Sequence, residues 1–211
     1  MPKAETFQDF LDGCARIGVA VSPAQAVQLE RYAQLLIQWQ AKFNLVGPET
    51  LPFLYTRHLL DSAQLVPYVG SGKKILDIGS GAGFPALVLA ILTDNHVTAC
   101  ERVGKKVQFM MHVSRETGLK EKFSVLQEDV RKVNGHFDVI SARALADLQD
   151  LFSWTEHLKE ADTVFVFPKG ETVNSEIAHA SKFWDMTTQL EESITFLDAK
   201  VLIATDVRRK R

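Results

Sequence analysis

The chain has 211 residues, 46% of them hydrophobic and 24% charged, with a formal net charge of -2. That suffices for one well-filled core with a small helical addition. It excludes a whole-molecule basic field, so any nucleic-acid binding must use a local patch.

Cys14 and Cys100 lie far apart and share no metal-ligand spacing with histidine, which argues against a disulfide framework or a structural zinc; no metal site is expected. The start, MPKAETFQDFLDG, carries acids early and lacks the apolar stretch of a secretory leader. No apolar run approaches the roughly 20 residues that span a bilayer. A cytoplasmic protein with no membrane partner is the expectation.

In chain order, residues 1–70 read as a helical extension and 71–211 as an α/β unit, the two forming one compact body. Phe7, Phe10, Leu11, Cys14 and Ile17 fall at helical spacing over Glu5–Ile17. Ser22 is a candidate N-cap with Pro23 at the first helical position, and the pattern runs on to about Phe43. Leu51–Leu65 reads as a further helix. After Gly72 short apolar strands alternate with helices. Strands are expected at 74–78, 96–101, 123–127, 137–142, 163–167, 187–190 and 201–205. Helices are expected at Pro85–Leu92, Lys105–Thr117, Leu148–Leu158 (capped by Asp147) and Ser175–Trp184. Such alternation predicts a mainly parallel sheet covered on both faces. The Phe109-Met110-Met111 run reads as core facing that sheet.

The most informative segment is Asp77-Ile78-Gly79-Ser80-Gly81-Ala82-Gly83, at the end of the first strand. Glycines there let backbone approach a ligand closely. The helix opening at Pro85 directs its unpaired N–H groups toward the crevice. Gly83 comes one place too early for a dinucleotide fingerprint, Phe84 fills the position that must be small, and no phosphate-loop Lys-Ser/Thr follows. Asp77 beside the loop suits an amine-bearing or cationic ligand better than a pyrophosphate. Glu101, ending the second strand about twenty residues on, stands where an acid binds a ribose hydroxyl pair.

These features resemble the class I, S-adenosylmethionine-dependent methyltransferases. The resemblance implies a Rossmann-like, seven-stranded, mostly parallel sheet. S-adenosyl-L-methionine is then the cofactor and S-adenosyl-L-homocysteine the product. By this resemblance Gly79 and Gly81, with Gly83, face the methionine part, Asp77 its amino group by way of the loop, Glu101 the ribose, and Asp129 with Val130 the adenine.

Ser141-Ala142-Arg143-Ala144 replaces the Asn/Asp-Pro-Pro-Tyr/Phe of exocyclic-amine methylases, and neither cysteine is placed as a pyrimidine nucleophile. A ring nitrogen such as guanine N7 needs neither device, since it carries a lone pair and no proton.

Asn44-Leu45, Arg57-His58-Leu59-Leu60-Asp61-Ser62, the loop through Pro85, Lys105-Lys106, Ser141–Ala144 and Pro168-Lys169-Gly170 occur in that order. Together they resemble the bacterial glucose-inhibited division protein B family of 16S ribosomal RNA guanine-N7 methyltransferases. The resemblance implies methylation of a guanosine in the 530 loop of 16S rRNA, with the RNA or the 30S subunit as partner and the enzyme acting as a monomer. It adds Phe84 and Arg143 to the cofactor site. It makes Asn44, Arg57, His58, Lys105 and Lys169 candidates for RNA, and Arg143, Asn44 and His58 candidates for positioning the target. Arg143 could pair with the cofactor carboxylate or an RNA phosphate. The chain departs from the family at Val46, Ala86 and Glu128–Arg131.

Plainer readings stand beside these. His58 can be a partly buried structural histidine, Arg57 can pair with Asp61 at i,i+4 spacing, Lys105-Lys106 can be solvated, and Lys169-Gly170 can be a turn. The tail Arg208–Arg211 can bind phosphate or be a solvated end. A noncatalytic ribosome-assembly protein on this fold and a small-molecule methyltransferase remain the alternative functions; a basic rim of Arg57, Lys105, Arg143 and Lys169 would favour RNA.

Overall fold

The computed structural model describes residues 5–211. Helix α1 (Phe7–Arg16) opens on a reciprocal cap: the Thr6 hydroxyl accepts from Asp9 N, and the Asp9 carboxylate accepts from Thr6 N. Helix α2 (Pro23–Gln40) repeats the device with Ser22 and Gln25, and Pro23 stands at its start as expected. It ends short of Phe43 because the Gln40 side chain folds back, accepting from Leu45 N and Val46 N and donating to Val46 O.

The single helix expected over Leu51–Leu65 is instead three pieces. A 3-10 helix spans Pro48–Phe53, a π-helix Leu54–Leu60, and a short α3 Asp61–Ala63. Pro52 has no N–H to give, which interrupts a regular ladder. The wide π winding has a consequence at its end. Asp61 N donates to Thr56 O and His58 O, so Arg57 O is bypassed.

From Lys74 onward the chain builds a seven-stranded sheet in the order β3-β2-β1-β4-β5-β7-β6. The strands are β1 (Lys74–Ile78), β2 (His96–Cys100), β3 (Phe123–Leu126), β4 (Phe137–Ala142), β5 (Lys159–Lys169), β6 (Trp184–Glu192) and β7 (Lys200–Arg209). Only β7 runs antiparallel, between β5 and β6. The helices are α4 (Ala86–Leu92), α5 (Gly104–Glu116), α6 (Leu148–Thr155, capped by Asp147) and α7 (Val173–Ala180). Alternation along each strand divides the core in two. Ile75, Val97, Val139 and Val166 pack with α1, α2, α4 and α5, while Leu76, Ile78, Ile140, Phe165 and Phe167 pack with α6 and α7. Phe109 and Met110 are core as expected, but Met111 is exposed.

Two expectations at the C-terminal end change. The helix expected to reach Trp184 stops at Ala180, and Trp184 instead begins β6, fully buried against Phe152. Of the basic tail, Arg208 and Arg209 continue β7 opposite Asp185 and Trp184. Arg209 lies over the Trp184 ring and pairs with Glu156, and Lys210 pairs with Asp185. Lys200 faces the carboxyl end of β5, so the other end of β7 lies at the opposite edge of the sheet, away from any crevice at the strand ends.

The sheet order reverses between β1 and β4, where α/β folds open a crevice at the strands' carboxyl ends. The wall there depends on Tyr32 of α2. Its buried hydroxyl donates to Ala82 O at 2.6 Å, and its ring stacks on Phe84 at 5.1 Å. Each contact is worth on the order of 1 kcal/mol. Gly83 sits within this packing at φ +95°, and a Cβ there would lie 2.4 Å from Leu87 Cδ1 and 3.2 Å from Tyr32 Oη. Gly83→Ala is therefore expected to destabilise the protein by about 1–3 kcal/mol through strain and crowding. The check is urea denaturation: the midpoint should fall with an unchanged slope, and an unchanged midpoint would contradict the packing role.

Candidate functional site

The crevice at the switch point encloses about 1000 Å³. Gly79–Ala82 and Phe84 form its floor, Ala142–Ala146 one wall, Pro168–Glu171 and Glu176 another, and Thr50, Arg57, His58, Asp61 and Phe196–Ala199 its mouth.

Its floor offers few hydrogen-bond donors. Gly79 N and Ser80 N donate to Cys100 O, Gly83 N and Phe84 N donate to Ser80 O, and Gly81 N donates to Glu101 Oε2. Five of the loop's N–H groups are thus spent on the protein's own oxygens, which leaves little of a phosphate nest. Beneath it Asp77 is wholly buried. Its Oδ1 accepts from Ser141 Oγ at 2.8 Å, and its Oδ2 has no hydrogen-bond partner among the described residues. Burial raises its carboxyl from 3.8 to about 6, against the opposing pull of the Ser80 and Ser141 hydroxyls, Arg143 and the Ala86 N–H.

The glycines differ in use. Beside Gly81 the space a side chain would fill is open to within 3.9 Å of Gly79 O. At Gly79 it is taken by Leu145, 2.7 Å from a built Cβ, and Gly83 faces Leu87 and Tyr32 rather than the crevice. Glu101 is buried, with Oε1 accepting from Val103 N and Oε2 from Gly81 N. Each oxygen retains a second lone pair for a hydroxyl donor. The Asp129 carboxylate is gripped by Arg131 through Nε at 2.9 Å and Nη2 at 2.5 Å, which holds it well below the usual carboxylate range. Val130 beside it is buried in the α6 face of the core.

Arg143, at the carboxyl end of β4, is the most heavily held side chain in the crevice. Its Nη1 donates to Arg57 O at 3.0 Å, a carbonyl that Asp61 N does not take, and to Asp61 Oδ2 at 3.2 Å. Its Nη2 donates to His58 Nδ1 at 3.0 Å, and its guanidinium lies 5.2 Å from the centre of the Phe84 ring. Because Nδ1 accepts, the His58 proton resides on Nε2 and is given to Thr50 Oγ1, 2.8 Å away, whose own proton goes to Gly47 O. The i,i+4 pairing of Arg57 with Asp61 does not form. In the π-winding those positions diverge, and Arg57 lies over the Phe196 ring at 5.1 Å.

The RNA candidates thus divide. Asn44, Arg57 and Lys105 are exposed; Asn44 and Lys105 share a notch of about 300 Å³ with Lys42, Phe43 and Lys106, with the Lys105 ammonium over the Phe43 ring. His58 is buried and stacked on Phe84. Lys169 is withdrawn from solvent, its ammonium donating to Glu176 Oε2 at 2.6 Å and Ala146 O at 3.0 Å. The mouth therefore mixes Arg57, Lys106 and Arg143 with Glu171 and Asp198.

Sequence reasoning missed Asp61, which had been given to Arg57, and Thr50. It also missed the apolar side chains Leu145, Phe196 and Leu197. Asp61 was already marked by its place in the Arg57–Ser62 segment; Phe196 and Leu197 fall between two weakly patterned strands and carried no signal. Cys100 is buried and donates to Glu128 O, burial pushing its thiol up to about 11, and Cys14 is pushed up to about 12. No group of three or more metal-ligating side chains occurs among the described residues. No helix among them is long and apolar enough to cross a membrane.

Burial and the neighbouring Arg143 and Arg57 charges lower His58 from 6.5 to about 3, so its ring is neutral in the folded chain. The unfolded chain takes up this proton near 6.5, so the linked stability is present above that pH and is lost progressively from there down to about 3. The His58 ring signals are expected to stay flat from pH 5 to 8 in nitrogen-proton NMR; a titration within that range would contradict the Arg143–His58–Thr50 chain.

A family model described as GidB: rRNA small subunit methyltransferase G matches residues 25–204. The ribosomal RNA small subunit methyltransferase G of Bradyrhizobium diazoefficiens is 39% identical over 181 residues, covering 83% of this chain and 70% of that protein. The protein of the same description from Paramagnetospirillum magneticum is 39% identical over 194 residues, covering 90% and 93%. Among solved structures, a SAM-dependent methyltransferase from Aquifex aeolicus shares the fold at a TM-score of 0.58, with 15% identity over 83% of this chain and 98% of that one. The ribosomal protein L11 methylase from Lactobacillus delbrueckii subsp. bulgaricus does so at 0.54, with 18% identity over 72% and 80%. The chain has the class I methyltransferase fold, and with most of its length matched it belongs to the GidB family, rRNA small subunit methyltransferase G.

Proposed function

We propose that the chain, acting as a cytoplasmic monomer, transfers the methyl group of S-adenosylmethionine to N7 of a guanine in the 530 loop of 16S rRNA. The observation that carries the donor assignment is the wholly buried Asp77 carboxylate behind a loop five of whose N–H groups are spent on the protein's own oxygens. Such a floor accepts an ammonium and repels a pyrophosphate. When bound, S-adenosylmethionine supplies an electrophilic methyl on a sulfonium.

The chain's own residues do the rest. Asp77 acts on the donor's amino group by way of the loop that covers it, and the open side of Gly81 admits the donor's chain against the backbone. Glu101 takes the ribose hydroxyls on its remaining lone pairs. The Asp129 carboxylate is already bound to Arg131, so the adenine contact there falls to what Asp129 and Val130 present from their backbone. Gly79, Gly83 and Phe84 keep the floor in shape. Arg143 keeps a fixed positive charge at the crevice wall, and Asp61, His58 and Arg57 O prevent it from swinging onto other acceptors.

What supports N7 is that neither the histidine of the crevice nor either cysteine is available to take up a proton. His58 is locked as a neutral donor to Thr50, and both thiols are buried and protonated. Proton removal is not needed at a ring nitrogen that already bears a lone pair, so in-line positioning suffices. Exposed Arg57, Lys105 and Asn44 are the residues placed to meet the RNA backbone, while His58 and Lys169 act behind the surface.

Donor binding should weaken in acid, because protonation of Asp77 removes the acceptor. Calorimetric Kd for S-adenosylmethionine is expected to rise as pH falls through about 6, approaching about tenfold per pH unit below it. Asp77→Asn should bind weakly at all pH, with that dependence gone; retained dependence would remove Asp77 from the site. Arg143→Ala is expected to abolish methyl transfer to rRNA while the far-ultraviolet spectrum stays native. Undiminished turnover would sink the assignment.

A further inference from the structure

We propose that the connection between β6 and β7 grips the target nucleobase, with Phe196 as its stacking face and Leu197 as the wedge that fills the gap left in the RNA stack. This rests on the RNA reading above and names the part of the site that handles the base.

The loop is pinned at its root and bare at its tip. Ser193 N donates to Ala199 O and Ala199 N to Phe196 O, closing the turn. Ile194 N donates to Gln64 Oε1, and Thr195 Oγ1 donates to Asp61 Oδ1 at 2.8 Å. The same Asp61 holds Arg143 through its other oxygen, so the loop root and the crevice arginine share one carboxylate. Beyond that root Leu197 is 91% exposed and Phe196 39% exposed.

A lone exposed leucine means little. Here, however, three of the ten exposed large apolar side chains among the described residues, Leu145, Phe196 and Leu197, line the one crevice. The Arg57 guanidinium covers the Phe196 ring and supplies a phosphate partner beside it. An apolar blade with an aromatic face and a cation, at the mouth of a crevice, fits an unstacked base on an anionic backbone. Enzymes acting on a base must extract it from its stack, read it between aromatic or apolar side chains, and fill the space it leaves.

The test compares wild type with Phe196→Ala, Phe196→Tyr and Leu197→Ser in methyl transfer to naked 16S rRNA and to 30S subunits, alongside calorimetry with S-adenosylmethionine. Phe196→Ala is expected to lower kcat/KM for RNA by roughly 5- to 150-fold, the usual loss for a stacked base. Donor Kd should be unchanged, and Phe196→Tyr should restore activity. Leu197→Ser, at a site too exposed to disturb folding, should reduce the fluorescence gain of 2-aminopurine placed beside the target guanine. If wild type methylates RNA and both Phe196→Ala and Leu197→Ser retain kcat/KM within about twofold, the loop assignment falls alone. If the loss appears with 30S subunits but not with naked RNA, the tip binds a ribosomal protein and the assignment is likewise overturned. If wild type methylates no RNA at all, the RNA reading falls and this proposal with it.

Discussion

A single guanidinium holds the two halves of the site together. Arg143 leaves the carboxyl end of β4 and is bound by a carbonyl, a carboxylate and an imidazole that all come from residues 57–61 of the helical segment. Little of it reaches solvent, its side chain being 19% exposed. At such a site the loss of one charged partner costs about 3–5 kcal/mol, because the remaining charge stays desolvated. The irregular winding before Asp61 is what makes the arrangement possible. A regular α-helix would have consumed Arg57 O in its own ladder and set Arg57 above Asp61. Asp61 then extends the connection to the loop after β6 through Thr195.

The floor of the crevice sets ligand charge by subtraction. Glycine loops at strand ends are commonly anion sites, because their N–H groups converge outward. Here those groups turn back onto Cys100 O, Ser80 O and Glu101, and what remains beneath them is the unpartnered oxygen of Asp77. Burial of that carboxylate raises it to about 6. Selectivity for an amine-bearing sulfonium nucleoside over a dinucleotide then follows from backbone hydrogen bonding as much as from side chains.

Most of the fold was legible in the sequence because its strands are short apolar runs and two of its helices open on recognisable caps: Ser22 and Asp147 each cap as their residue types require. The strands at 74–78 and 137–142 match to the residue. Where the reading failed, tertiary structure overrode local pattern. Trp184 has helical company in sequence, but its ring is worth more buried against Phe152 than continuing α7. Residues 51–65 carry a helical pattern that Pro52 and the demands of Arg143 unwind. The motif spacing singled out Gly81 and Arg143, which line the crevice, and Asp77 and Glu101, which are buried behind its loop, but not their hydrogen-bond partners. Whether Lys169 faces RNA or Glu176 depends on a residue seven positions on across a turn, and no spacing rule decides that.

Positioning, with neither His58 nor a thiol to take up a proton, selects the acceptor atom. Transfer of a labelled methyl group to 16S rRNA, followed by borohydride reduction and aniline scission, reads that atom directly, because only a ring alkylated at N7 becomes labile. Strand cleavage at one guanine of the 530 loop, accounting for the incorporated label, is the predicted result. Label that resists scission, lying on an exocyclic amine, a pyrimidine carbon or a ribose, would contradict it.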